Sequence, residues 1–169
     1  MITSIQEARN PAVADYLPAL MSSSAQELVY EKNRHRVYAV AFWMTDNELA
    51  AEALMSAVFC NAFQLSTELS ADEIDGILVE QLRQLLPLGT LSLHCPPSTT
   101  VRSARYNTLR VDLERAVVEL PATEKLIFIL HDVEGYKHNK IARLLKIGES
   151  ESQFGLHQAR LRIRELLLK

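Results

Sequence analysis

The apolar residues of this 169-residue chain recur at helical spacing along almost its whole length, and one stretch interrupts the pattern. Apolar side chains three and four residues apart form a stripe along one side of a helix, so the pattern predicts helices rather than strands. The interruption covers residues 88–107, which include Gly89, Pro96 and Pro97. Because glycine and proline weaken regular structure, this segment is predicted to be a linker. The sequence therefore predicts an all-α chain of two small helical domains joined by a linker.

Three apolar stripes before the linker predict three helices, with a connector at residues 45–47 between the first and second and a stop at Pro87. The stripes consist of Val37, Val40, Ala41 and Met44, of Ala50, Ala53, Leu54, Ala57 and Val58, and of Ile74, Ile77, Leu78, Leu82 and Leu85.

Four helices are predicted after the linker. The first carries Leu109, Leu113, Ala116, Val117 and Leu120. The second covers residues 122–133 and is closed by Gly135, which can adopt the left-handed conformation that ends helices. Residues 137–146 and a last helix from Ser150 follow, and the short turn between them contains Gly148. This arrangement is typical of a helix-turn-helix.

The net charge of −3 is unevenly distributed between the two halves of the chain. Residues 1–100 hold 5 basic and 12 acidic side chains, whereas residues 101–169 hold 13 basic and 9 acidic ones. The second half is therefore the candidate for binding a polyanion, although an ordinary solvated surface is an equal alternative on charge alone.

Several classes of protein are disfavoured. The longest apolar run, residues 37–44, is far shorter than the roughly 20 residues of a membrane span. The start of the chain lacks a secretory signal, so a cytoplasmic protein is expected. Cys60 and Cys95 form no metal-ligand spacing, and no nucleophile or phosphate loop accompanies the carboxylates. We therefore expect no metal, no cofactor and no enzymatic activity.

The second half resembles a known family. The resemblance rests on four segments: LERAVVELP at 113–121, LHDVEGY at 130–136, IARLLKI at 141–147 and LHQARLR at 156–162. They are similar to the C-terminal helix-turn-helix domain of the extracytoplasmic-function sigma factors of bacterial RNA polymerase. Residues 51–63, AEALMSAVFCNAF, look like the helices with which that family binds the polymerase clamp.

The resemblance implies a transcription initiation factor whose first domain binds core RNA polymerase and whose second domain reads promoter DNA. It divides the chain into four parts. They are an N-terminal extension at 1–24, a polymerase-binding helical domain at 25–87, the linker at 88–107 and a DNA-binding helix-turn-helix domain at 108–169.

The resemblance also places candidate site residues. Those for DNA are Lys137, Lys140, Ser152, Gln153, His157, Arg160 and Arg162; those for polymerase are Glu52, Leu54, Met55 and Phe59. Gln153 suits adenine, and Ser152 suits a phosphate. Ser150 with Gln153 fits a capping box.

Several contact positions depart from the family pattern. Glu151, Phe154 and Gly155 replace small polar and basic residues at the start of the last helix, and the segment 64–87 is acidic rather than basic and aromatic. We therefore expect weakened promoter recognition, with an anti-sigma protein or other regulator as a further partner. The alternative is a degenerate sigma-like interaction module that has lost promoter recognition and binds a regulator, an anti-sigma protein or itself.

Overall fold

The computed structural model describes residues 11–66, 69–92 and 110–167, with side chains from residue 24 onward. These residues form seven α-helices and a π turn at Ile129–Val133, without a strand. The α-helices are α1 (Pro11–Thr45), α2 (Glu48–Leu65), α3 (Ala71–Leu85), α4 (Arg110–Val118), α5 (Ala122–Phe128), α6 (His138–Leu145) and α7 (Glu149–Leu167). The all-α prediction is confirmed. The described helices include none long and apolar enough to cross a membrane.

α1 ends and α2 begins at the predicted connector, and α3 ends two residues before the predicted stop at Pro87. Asp46 turns the chain with a φ of 50°, and the Asn47 side chain accepts a hydrogen bond from the Ala50 backbone N–H. Ser70 and Glu73 form a reciprocal capping box at the start of α3. These local interactions supply acceptors for N–H groups that a helix start leaves unpaired. α1, however, runs without a break through residue 24, where the sequence placed a domain boundary.

The buried face of α2 is shifted relative to its predicted stripe. Leu54 and Val58 are buried as expected, but Ala50 and Ala53 are exposed. The buried set is Ala51, Leu54, Val58, Phe59 and Ala62. Alanine is small enough to occupy either face, so the larger Phe59 decides which side of the helix turns inward.

The second half departs from its predicted helices in two places. The predicted helix at 122–133 is α-helical to Phe128 and then widens into the π turn, and Gly135 follows with a φ of 74°. The turn after α6 is left-handed at Lys146, with a φ of 57°. The sequence predicted a short turn that contains Gly148, and the left-handed residue of that turn is Lys146 instead.

The two halves pack on one continuous apolar core. Val40 and Leu82 from the first half and Ile127 and Ile141 from the second belong to the same buried cluster. The beginning of the predicted linker is fastened to α5, since Ser92 donates to the Glu124 carboxylate and the Gly89 N–H donates to Thr123. Residues 93–107 of that linker, and the predicted apolar position Leu109, lie outside the described residues.

A second, smaller cluster of buried apolar residues lies between α4 and α7. Ala116, Val117 and Leu120 at α4 meet Ala159 and Ile163 of α7. The half-buried Trp43 of α1 contacts both this cluster and the main core. The helix-turn-helix is therefore held from two sides, by α4 and by the helices of the first half.

Candidate nucleic-acid interface

The helix-turn-helix is formed by α6, a left-handed turn and α7. At the start of α7 the Glu151 carboxylate accepts a hydrogen bond from the Gly148 N–H at 2.6 Å. The predicted capping box of Ser150 and Gln153 is therefore wrong: Ser150 lies inside α7, and the bonded pair, Gly148 and Glu151, is two positions earlier. Glu151, which looked unsuited to a DNA-facing helix, stabilises the helix start and lies near its positive end.

The inner face of α7 packs closely against the rest of the molecule. A Cβ atom at Gly155 would lie 2.6 Å from the Ile127 Cδ1 atom and 2.9 Å from the Leu91 Cδ2 atom. Both distances are shorter than two non-bonded carbon atoms tolerate. The glycine therefore permits the close approach of α7 to α5 and to Leu91, which follows α3 in the chain. The glycine therefore has a packing role at a position where the family resemblance suggested a DNA contact.

Ser152 lies on this inner face and is fully buried. Its hydroxyl is 2.9 Å from the Nδ1 atom of His138. The structure therefore does not place Ser152 where the sequence predicted, because a buried side chain on the core side of α7 does not reach a phosphate. Its hydrogen bond joins the start of α7 to the start of α6.

The outer face of α7 presents an exposed row of side chains. The row consists of Gln153, Phe154, His157, Arg160 and Arg164. Arg162 is nine residues from Gln153, about two and a half helical turns, and so lies on the opposite side. There it is half-buried beside Glu124 and Gln158. Of the predicted DNA residues on α7, the structure brings Gln153, His157 and Arg160 together and separates Ser152 and Arg162 from them.

Arg160 is held in place by a carboxylate from the π turn. Its Nε and Nη2 atoms bond the two oxygens of Asp132 at 3.0 and 2.6 Å. Burial raises the pKa of Asp132, but the hydrogen bonds from Arg160 and His131 outweigh it, so this pKa lies below its usual value. The hydrogen bond that Arg160 donates to Asp132 raises the pKa of Arg160.

Two histidines stack at the junction of the π turn, α6 and α7. The rings of His131 and His138 are 4.6 Å apart at 25°. Burial, followed by the charge of His131, lowers the pKa of His138. Within the described residues, no three histidine, cysteine or acidic side chains are grouped as a metal site would require. The hydrogen bond between His138 and Ser152 joins α6 to α7, and the pair of Arg160 with Asp132 joins α7 to the π turn.

The two predicted lysines near α6 differ in their surroundings. Lys137 is exposed at the helix start. The Nζ atom of Lys140 lies 2.8 Å from both Asp72 and Asp75 of α3, and 3.6 Å from the centre of the Tyr136 ring. Lys140 is thus engaged within the molecule rather than presented to solvent.

The partners of Lys140 include residues that sequence reasoning missed. Asp75 is 2% exposed; it pairs with Arg36 and accepts a hydrogen bond from the Tyr136 hydroxyl at 2.7 Å. Arg36 donates to the same hydroxyl at 2.6 Å. A signal was present, since Asp75 stands four residues before the buried Val79 and so on an apolar face. A carboxylate there requires partners from another element.

Of the four predicted polymerase residues on α2, two line a surface groove and two are buried. Glu52 and Met55 line a surface groove of about 380 Å³ between α1 and α2, together with Tyr30 and Tyr38. Leu54 and Phe59 are each 4% exposed. The structure therefore places Leu54 and Phe59 in the core, where they support α2 and do not reach a partner protein.

Comparison with known proteins agrees with this geometry. Residues 110–163, which include α4 to most of α7, match the family described as Sigma-70, region 4. No curated protein matches the sequence. A solved structure of the sigma factor RpoE from Bartonella quintana, in complex with the anti-sigma factor NepR, is similar with a TM-score of 0.61 and 19% identity. The match covers 83% of this chain and 95% of RpoE.

The family match lies on the helix-turn-helix, and the structural match extends over both halves. The predicted resemblance to extracytoplasmic-function sigma factors is thereby confirmed. Residues 110–163 match the Sigma-70 region 4 family, and the described helices share the fold of the RpoE structure.

Proposed function

We propose that this chain is a transcription regulator of the extracytoplasmic-function sigma-factor type, which binds core RNA polymerase and promoter DNA to direct initiation. The observation that carries the proposal is the exposed row on α7, because it lies on the second helix of the helix-turn-helix in the segment that matches Sigma-70 region 4. The second helix of this motif is the one that enters the major groove.

The chemistry of this row suits a DNA duplex. The Gln153 amide can bond adenine in bidentate fashion, and the exposed Phe154 can contact the methyl group of thymine. Arg160 uses two of its five N–H donors on Asp132, which leaves three for DNA. His157, Arg164 and the exposed Lys137 supply further polar or basic contacts.

The groove between α1 and α2 is our candidate polymerase contact. Glu52 supplies a carboxylate, Met55 a flexible apolar side chain, and the two tyrosines large amphipathic rings. Tyrosine and methionine are enriched in protein interfaces. A protein surface is therefore a suitable occupant, and core polymerase is the one that the sigma fold suggests.

A protein regulator is the proposed third partner. The similar RpoE was solved with its anti-sigma factor, and we propose that a protein of that kind also controls this chain. The proposed role requires no catalysis by the chain, and we propose that it is carried out in the cytoplasm. The alternative of an interaction module without promoter recognition is not favoured, because the row on α7 keeps an amide and two arginines exposed.

Run-off transcription with core polymerase on a library of genomic fragments tests the whole proposal, and the templates that are transcribed identify the promoter. On such a template, Gln153→Ala should lose about 1–3 kcal/mol of discrimination at one base pair. Arg164→Ala should weaken binding evenly and reduce the salt slope by about 1. The control is Lys32→Ala on α1, which removes an exposed positive charge away from both proposed surfaces and should leave DNA affinity unchanged.

Retention on core polymerase tests the other surface. Glu52→Ala should weaken retention, whereas Glu114→Ala on α4 should not, although it removes the same charge. Equal retention of both variants would reject the groove, and absence of transcription from every fragment would reject the proposed function.

A further inference from the structure

The acidic side chains of the first half lie against the basic side chains of the helix-turn-helix. α3 carries Asp72 and Asp75, which both bond Lys140, and Glu80, whose carboxylate is 3.7 Å from the Nζ atom of Lys146. The hydrogen bond and charge of Lys140 lower the pKa of Asp72, and Arg143 contributes to the same shift. Three of the four lysines and arginines of residues 137–146 are therefore near carboxylates of α3.

These cations are of the kind that phosphates require. Non-specific affinity for DNA comes from lysines and arginines that replace counterions on phosphate. An ammonium group already hydrogen-bonded to two carboxylates, as Lys140 is, gains less from a phosphate than a solvated one does. α3 thus presents to α6 the same charge that a DNA backbone would present.

The carboxylates of α3 that pair with these cations differ in how exposed they are to solvent. Asp75 is buried and anchors the network, but the side chains of Asp72 and Glu80 are 63% and 56% exposed. Asp72, Lys140 and Arg143 border a shallow surface depression of about 190 Å³. A polyanion can therefore approach these cations from solvent without entering the core.

We propose that the acidic face of α3 is an intramolecular competitor for DNA: Asp72 and Glu80 occupy Lys140 and Lys146 and lower the affinity of the helix-turn-helix for phosphate. DNA that binds α6 displaces these two carboxylates, and the buried Asp75 stays in place. The inference rests on the proposed function, because it presumes that the helix-turn-helix binds DNA.

The test compares the full chain with the double variant Asp72→Asn, Glu80→Gln. Binding to a fluorescent duplex of about 25 base pairs and mixed sequence is followed by anisotropy over a range of salt concentrations, since phosphate contacts need no particular sequence. We expect the variant to bind at least about threefold more tightly at low salt, with a salt slope steeper by about 1 to 2.

The control is the double variant Glu27→Gln, Glu31→Gln, which removes the same charge from the exposed side of α1. Circular dichroism checks that each variant keeps its helices; all of the substituted side chains are exposed, so folding should be unaffected. The proposal is supported if the affinity for duplex increases clearly more in the α3 variant than in the control variant. Equal gains, or none, in two variants that both bind DNA would overturn this inference alone. Absence of duplex binding by all three proteins would overturn the DNA-binding part of the proposed function as well.

Discussion

The two helices of the helix-turn-helix differ in what surrounds their polar side chains. α6 directs Lys140 into a network with Asp72 and Asp75, whereas α7 leaves Gln153, His157 and Arg164 exposed to solvent. Both helices carry basic residues in the sequence, so their composition alone would assign them the same role. The difference shows that carboxylates of the same chain reduce how far a basic residue is available to DNA: two of them hold Lys140, whereas Arg160 has three N–H donors that Asp132 does not use.

The largest change in stability is expected on substitution of Asp75, the buried carboxylate that bonds Lys140 of α6. Asp75→Ala should lower the free energy of unfolding by about 3 kcal/mol, because it leaves Arg36, Lys140 and Tyr136 without their buried acceptor. Asp132→Ala is the matched change on the α7 side, where the partner Arg160 is 55% exposed, and it should cost about 1 kcal/mol or less. Urea denaturation measures both values. Equal losses would remove the contrast between the two helices.

A smaller loss is expected where α7 meets the core. Gly155→Val should destabilise the protein by about 1–3 kcal/mol, since the side chain would overlap Ile127 and Leu91. Gly76→Val on α3 is the control, because no atom lies within 4 Å of a Cβ built there. Thermal denaturation should show a lower Tm for the first variant and a nearly unchanged Tm for the second. An unchanged Tm for both would contradict the close packing of α7 on Ile127 and Leu91.

The smallest change in stability is expected from the protonation of His138, which lies where α6 meets α7. The pKa of His138 lies below its ordinary value of 6.5, chiefly through burial, so the unfolded chain takes up a proton at a higher pH than the folded one. The contribution of His138 to stability is therefore complete above about pH 6.5 and is lost as the pH falls through the folded-state pKa.

The Tm should accordingly fall slightly between about pH 7.5 and pH 5.5, and His138→Gln should reduce that fall. Glu149 and Asp132 oppose the shift, while His131 and Arg160 reinforce it. The control Asn139→Gln on α6, which removes no titratable group, should keep the wild-type dependence on pH. If the two variants behaved alike, the titration would have to be assigned to another group.

The sequence predicted the helical class and most helix positions because both depend on neighbours along the chain. The apolar stripe of α3 and the connector before Asn47 follow from spacing and from side chains that bond adjacent backbone atoms. The resemblance to sigma factors followed from the same local patterns. Such interactions form between residues a few positions apart, so a single sequence contains the information to find them.

The sequence was less informative about which side chains remain exposed. Ser152 and Leu54 were assigned to partners and are buried, and Lys140 was assigned to DNA and bonds carboxylates about 65 residues earlier in the chain. Arg162 was grouped with Arg160 although the two point to different sides of α7. Spacing identifies the face of a helix on which a residue lies, but it does not identify what covers that face.

The sequence by itself determined that this protein is built of helices and ends in a helix-turn-helix, because helical periodicity, caps and turns are local. The packing of distant segments set the pairing of Lys140 on α6 with two carboxylates of α3, and it left the outer row of α7 exposed. The physical reason is that charge and burial are set by pairs of residues far apart in the chain, such as Asp75 with Lys140 and Gly155 with Leu91.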